Sequence, residues 1–264
     1  MLGTLTAVRV PAPTRVDRTV AGRAMALAPL GGVLLAVLTG VPLVLVSRLD
    51  ANVSAWALAL IVLGALAWLT RGMHLDGLAD TADGLGSGRR GTGALEVMKK
   101  SDIGPFGVVT LVLVLLLQAA LLAQALAFGV GPLVLLLALV TSRGVLPVLC
   151  TRLFPAARRD GLGATVSGSV GGGLLVVSIG LVAGLLALAV VLAANWSAGL
   201  DGSTATLAFE DAVQLLVAAP CGLVPGVLLA LRARNRFGGV TGDVHGAAVE
   251  VSFTATLLIT LLPL

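Results

Sequence analysis

The feature that most limits what this chain can fold into is a series of uninterrupted apolar stretches, each about as long as a bilayer is thick. Residues 27–46, 53–70, 108–128, 132–150, 170–194, 212–231 and 246–263 carry almost no charge. As helix, roughly 20 such residues cross a ~30 Å hydrocarbon core. None of the stretches alternates apolar and polar residues with period two, as a barrel strand must. The sequence therefore predicts an all-α, polytopic integral membrane helix bundle with about seven transmembrane helices. Composition agrees: 58% of the 264 residues are hydrophobic and 11% charged, far from the balance of soluble domains. The 34 glycines suit close helix packing in lipid.

Charge placement orients the bundle. A cytoplasmic N-terminus puts Arg9, Arg15, Arg18, Arg23, Arg71, Arg89, Arg90, Lys99, Lys100, Arg152, Arg158, Arg159, Arg232, Arg234 and Arg236 on the inner side, which is 15 of 17 basic residues. Arg48 falls outside and Arg143 within a span. Trp56 and Trp196 fall near outer span ends and Trp68 near an inner one. Asp201, Glu210 and Asp211 belong to an outer loop, read as solvated and without a catalytic role. The net charge of +4 then reflects topology, and no nucleic-acid partner is expected, because stacking aromatics are scarce. Cys150 and Cys221 lack metal-ligand spacing and are expected to be buried, reduced thiols. Residues 1–26 lack a signal-peptide pattern and read as a retained cytoplasmic segment. The expectation is one membrane-embedded unit over 1–264, with polar cytoplasmic loops at 71–107 and 232–245. A homo-oligomer is compatible with this composition, which does not set a copy number.

Acids concentrate in the first of these loops. Within HLDGLADTADG, helical spacing puts Asp76, Asp80 and Asp83 inside roughly a 60° arc. Carboxylates on one face repel unless a cation sits among them, and an all-oxygen cluster suits Mg²⁺ or Mn²⁺. The alternative is an exposed acidic turn balanced by Arg71, Arg89 and Arg90; proximity to a span, where ionisable groups are costly, favours the metal. The glycines at 84, 86, 88, 91 and 93 follow, interleaved with Arg89 and Arg90. They form either a flexible connector or a phosphate cradle whose two guanidiniums bind substrate. Glu96, Lys99, Lys100 and Asp102 extend the site or decorate a helix end. In the last inner loop Asp243 and Glu250 are seven apart on nearly one helical face, Glu250 already inside the final span. Glu250 needs a partner, either a cation or a basic side chain such as Arg143, which is read equally as a structural ion pair and as a substrate-phosphate contact; Asp243 and Glu250 themselves either complete the metal site or bind a substrate sugar hydroxyl. His74 and His245 are candidate general bases, or hydrogen-bonded structural residues; a carboxylate of the first cluster, Asp76, is the alternative to His74 as the catalytic proton acceptor.

HLDGLADTADG resembles the cobalamin synthase family, the adenosylcobinamide-GDP ribazoletransferases. The likeness continues in order through EVMKKSDIGPFG, TSRG, the GLG at 161–163 and GGVTGDVHGAAVE. The resemblance implies a multi-pass inner-membrane enzyme with its active site facing the cytoplasm. Adenosylcobinamide-GDP would give its cobinamide-phosphoryl group to a ribose hydroxyl of α-ribazole or α-ribazole 5′-phosphate, releasing GMP and completing the nucleotide loop of cobalamin. It also implies Mg²⁺ dependence, with Asp76, Asp80 and Asp83 as ligands in a motif similar to that of CDP-alcohol phosphotransferases. One departure stands at Lys100, Ser101, Asp102, where the family commonly runs acid, Ser, base. The carboxylate has moved two positions, about 200° around a helix, and Asp102 is carried as a fourth ligand.

Two other classes share parts of this pattern. A lipid CDP-alcohol phosphotransferase shares the chemistry, but the Asp-x-x-Asp-Gly at 80–84 is not followed by the Ala-Arg of that family. A cation-coupled transporter would scatter its acids through the membrane, whereas here they gather on one side.

Overall fold

The structure, a computed structural model, describes residues 6–7, 17–48, 53–200 and 209–262. Expectations for Arg9, Arg15 and Asp201 lie outside the described residues, as do those for the side chains of Arg48, Trp196, Glu210 and Asp211. Eleven helices follow one another among the described residues: α1 Arg18–Ala26, α2 Ala28–Arg48, α3 Ala55–Leu69, α4 Met73–Gly86, α5 Thr92–Val97, α6 Pro105–Ala127, α7 Gly131–Leu149, α8 Gly161–Val166, α9 Gly172–Leu200, α10 Phe209–Phe237 and α11 Gly242–Leu261. Strand-like pairing among these residues is confined to one parallel bridge, Ala156 to Val240.

Six helices are long and apolar enough to cross a membrane, namely α2, α6, α7, α9, α10 and α11. The seventh expected span takes a different form. α3 has 15 residues and α4 leaves it at 89°, so the two count as one span only if it is broken. The corner lies just beyond α3, where Arg71 (φ 56°) and Gly72 (φ 68°) are both left-handed, a conformation a right-handed helix cannot contain. α10 runs on to Phe237, so Arg232, Arg234 and Arg236 are helical and not part of a loop. α11 begins four residues earlier than the expected span, with Asp243 in its first turn. Thr241 starts it, its side chain accepting from the Val244 N–H at 3.3 Å, the usual N-cap arrangement.

α7 is the central helix, with 78% of its span buried, and α11 follows at 61%; the other spans are 22–39% buried. Large apolar side chains such as Leu113 and Leu116 on α6 and Val176 and Ile179 on α9 point outward, as lipid-facing surfaces do. Cys221, expected to be buried, is exposed on α10, while Cys150 is buried; α10 lies at the edge of the bundle and turns that face away from its neighbours.

Small residues set the closest contacts. On α10, Gly222 and Gly226 lie against Thr256 and Ser252 of α11. For the site the decisive contact is between α4 and α11. A Cβ on Gly77 would stand 2.6 Å from the Asp243 carbonyl oxygen, and one on Gly246 would stand 3.1 Å from the His74 Cα. The two helices meet backbone to backbone, which brings sequence positions over 160 apart to one place.

Candidate active site

Asp76 and Asp80 lie one turn apart on α4, Asp76 exposed and Asp80 half-buried. Across the Gly77 contact stands Asp243, whose carboxylate accepts from the Thr241 hydroxyl at 3.1 Å. Asp80 lies in the repulsive field of Asp76, Asp243 and Asp83, and Arg158 opposes that repulsion. Asp243 in turn feels Asp76 and Arg158. The carboxylates that influence one another at the rim come from two helices, Asp76 and Asp80 from one and Asp243 from the other, and not from the expected set of Asp76, Asp80 and Asp83 alone. Among the described residues no three His, Cys, Asp or Glu side chains converge closely enough to hold a metal by themselves. What the chain offers is a rim of hard oxygen donors and not a closed cage.

Asp83 has a different task. Its two carboxylate oxygens accept from the backbone N–H groups of Gly104 (2.8 Å) and Gly107 (3.0 Å). Gly104 is the N-cap residue of α6 and has no side chain to cap with, so the buried Asp83 supplies that function from α4. A free helix N-terminus exposes unpaired N–H groups and a partial positive charge, both satisfied by a carboxylate. A Cβ on either glycine would collide with this carboxylate, which explains the spacing of glycines in DIGPFG.

The remaining predicted residues separate by depth. Asp102 is exposed in the turn before α6. Arg89 and Arg90 are exposed in the turn between α4 and α5, whose glycine run is bent by left-handed Gly88 (φ 72°) and Gly91 (φ 53°). That turn is anchored by the Gly91 N–H to the Arg236 carbonyl at 3.0 Å. His74 is two residues before Asp76, about 200° around the helix, and is buried away from the rim. It lines a cavity of about 50 Å³ with Met25, Leu146, Leu162 and His245. Neither of its ring nitrogens has a partner among the described residues. His245 is held by its Nδ1–H donating to the Thr241 carbonyl at 2.7 Å, with the Cys150 sulfur 3.7 Å from Nε2, a structural arrangement.

Arg143 and Glu250 occupy a deeper chamber of about 20 Å³, lined also by Leu66, Thr70, Leu139 and Phe253. Asp243 and Glu250 share a face of α11, but seven residues separate them by roughly 10 Å along the axis. Gln118 of α6 holds Glu250 with an Nε2–H bond of 3.0 Å and donates its other proton to Thr254 at 3.0 Å. Arg143 donates to the Ser142 hydroxyl at 2.9 Å and faces Glu250 across the chamber.

Sequence reading missed two residues. Gln118 is a lone polar residue in an apolar span, a signal that was available. Arg158 is one of several loop arginines, with no periodicity to single it out.

These features define an all-α, multi-pass membrane protein whose polar residues gather at the helix ends of one face of the bundle, around a shared carboxylate rim. The chain belongs to the cobalamin-5-phosphate synthase family, whose model matches residues 1–261. It is similar to proteins named adenosylcobinamide-GDP ribazoletransferase from Frankia casuarinae (39% identical, covering 97% of this chain and 90% of the relative), Nocardioides sp. (40%, 97% and 94%) and Citrobacter koseri (34%, 95% and 94%). No solved structure matches the chain.

Proposed function

We propose that the protein is an adenosylcobinamide-GDP ribazoletransferase, joining the cobinamide-phosphoryl group of adenosylcobinamide-GDP to α-ribazole or its 5′-phosphate with release of GMP. Family membership supports the reaction. The observation that carries the site is the meeting of Asp76 and Asp80 with Asp243 across the glycine contact of α4 and α11. The donor set fits Mg²⁺, which keeps several waters and takes only one or two carboxylates plus substrate phosphate oxygens; three mutually repelling carboxylates with one guanidinium nearby leave negative charge for such an ion to offset. Asp80 and Asp243 would hold it, with Asp76 left to accept a proton and Asp83 committed to its cap. When bound, the ion neutralises charge on the diphosphate and on the departing GMP.

The attacking ribose oxygen forms its bond to the cobinamide-side phosphorus as the bond to the bridging oxygen breaks, and GMP leaves with that electron pair. The hydroxyl proton passes to a rim carboxylate. Asp76, the exposed one, takes this role, because the buried His74 faces away and proton transfer requires hydrogen-bond reach. Arg89 and Arg90, exposed in the turn after α4, draw the anionic donor toward this side of the protein. Arg143 and Glu250 brace the bundle beneath. The bias of basic residues toward the inner loops supports a rim that faces the cytoplasm, and the family resemblance supports a bacterial inner membrane around it.

The test is GMP release from adenosylcobinamide-GDP plus α-ribazole by purified membranes, with and without Mg²⁺. Turnover that requires both substrates and the ion is expected; no turnover under any of these conditions overturns the assignment.

A further inference from the structure

Arg158 stands apart from every other basic residue near the rim, because it acts on both Asp80 and Asp243. Among the described residues it forms an ion pair with neither. A guanidinium free to close on a carboxylate ordinarily does so. Here it is held back by its own anchoring. The segment after α7 carries Phe154, fully buried, and then pairs with the turn before α11. The Ala157 N–H donates to the Val240 carbonyl at 2.9 Å and the Val240 N–H to the Pro155 carbonyl at 2.8 Å. Gly239 permits this approach, since a Cβ there would stand 2.5–2.6 Å from the backbone of Pro155, Ala156 and Ala157. From the other side, Arg234 donates to the Leu153 carbonyl at 3.0 Å. The tip of Arg158 is fixed as well, Nη2 donating to the Leu95 carbonyl of α5 at 2.9 Å, while its Nε is buried with no partner.

The same short bridge that carries Arg158 therefore leads, three residues past Val240, to Asp243. The guanidinium and the carboxylates therefore stay apart, beyond ion-pair distance yet close enough for Arg158 to oppose the repulsion at Asp80 and Asp243. We infer that Arg158 is a phosphate-binding residue of the reaction, contacting a non-bridging oxygen of the donor diphosphate while the carboxylates serve its metal-facing side. This rests on the proposed function. The chemistry is that of clamps that stabilise charge on a transferring phosphoryl group, where guanidinium geometry suits phosphate oxygens. A guanidinium already anchored costs little reorganisation when the substrate arrives. The Arg89 and Arg90 guanidiniums, exposed in the glycine-bent turn, have no comparable hydrogen bond among the described residues, although the backbone of that turn is tied down at Gly91.

The experiment measures GMP release by the full-length protein in membranes, comparing wild type, Arg158→Lys, Arg158→Ala and, as a neighbour outside the site, Arg159→Ala. Arg158→Ala is expected to lose about 10²–10³-fold in kcat, Arg158→Lys to recover part of it, and Arg159→Ala to match wild type. Millimolar guanidinium should restore turnover to Arg158→Ala, a response that a merely structural role would not give. Thermal unfolding of each detergent-solubilised variant separates misfolding from lost chemistry, and the rescue experiment is read on folded Arg158→Ala or, should that variant unfold, on the kcat of Arg158→Lys. The loss must be the same with α-ribazole and with α-ribazole 5′-phosphate. A defect confined to the phosphorylated acceptor assigns Arg158 to that phosphate and overturns the inference, as does an Arg158→Ala enzyme with wild-type kcat. Absence of turnover in the wild type would instead strike the proposed function itself.

Discussion

The Asp83 carboxylate accepts from the Gly104 backbone N–H at 2.8 Å and so fastens the end of the acidic helix α4 to the first turn of span α6. Three aspartates at helical spacing thus divide their labour. Asp76 and Asp80 face the open rim, while Asp83 is 6% exposed and holds the scaffold. The division predicts opposite behaviour for neighbouring substitutions. Asp83→Ala leaves two buried N–H groups without a charged acceptor, a loss of about 1.5–3 kcal/mol, and should lower the thermal midpoint in detergent. Asp80→Asn removes like-charge repulsion and should leave the midpoint unchanged or raised while abolishing turnover. Thermal unfolding and GMP release on the same two preparations check both halves.

How much of this was legible in the sequence follows from which contacts are local. Each span needs its own run of apolar residues, so the bundle could be read directly, and the i, i+4 relation of Asp76 and Asp80 is a property of one helix. Asp83 and Arg158 could not be placed in this way. The role of Asp83 depends on where α6 begins, 21 residues on, and that of Arg158 on a bridge between Ala156 and Val240. The bend at Arg71–Gly72 was hidden for the same reason, since the apolar pattern before it continues smoothly into a polar helix that could have pointed anywhere.

Close approach of α4 and α11 is a condition for the shared rim. Gly77→Ala puts a methyl against the backbone of Asp243, which cannot yield as a flexible side chain would. The substitution should push the helices apart, cutting GMP release by more than tenfold with a moderate fall in the unfolding midpoint. Ala82, half-buried elsewhere on α4, provides the comparison: Ala82→Ser should change neither quantity by much.

In the deep chamber, Arg143 and Glu250 compensate each other across the α7–α11 core, with Gln118 fixing the carboxylate. Removing one buried charge leaves the other uncompensated, which is worse than removing both. Arg143→Met and Glu250→Gln should each destabilise the protein, and the double variant should lose less than the two single losses added, with a coupling of about 0.5–3 kcal/mol. A double-mutant cycle of unfolding midpoints in detergent measures it.

Orientation has its own test. Cysteine introduced at Gly88, in a Cys221→Ser background because Cys221 is exposed, should react with a membrane-impermeant maleimide only after the cytoplasmic face is opened. Efficient labelling of intact spheroplasts would reverse the topology.

The account turns on Asp243 joining Asp80 at one metal-bearing rim, a relation between two helices that neither segment reveals alone. The most direct measurement is the Mg²⁺ dependence of GMP release from adenosylcobinamide-GDP and α-ribazole in wild type and Asp243→Asn. Asp243→Asn should need at least about tenfold more Mg²⁺ for half-maximal rate, in line with the loss of a charged ligand. An Asp243→Asn enzyme with the wild-type Mg²⁺ requirement and wild-type rate would contradict the shared site.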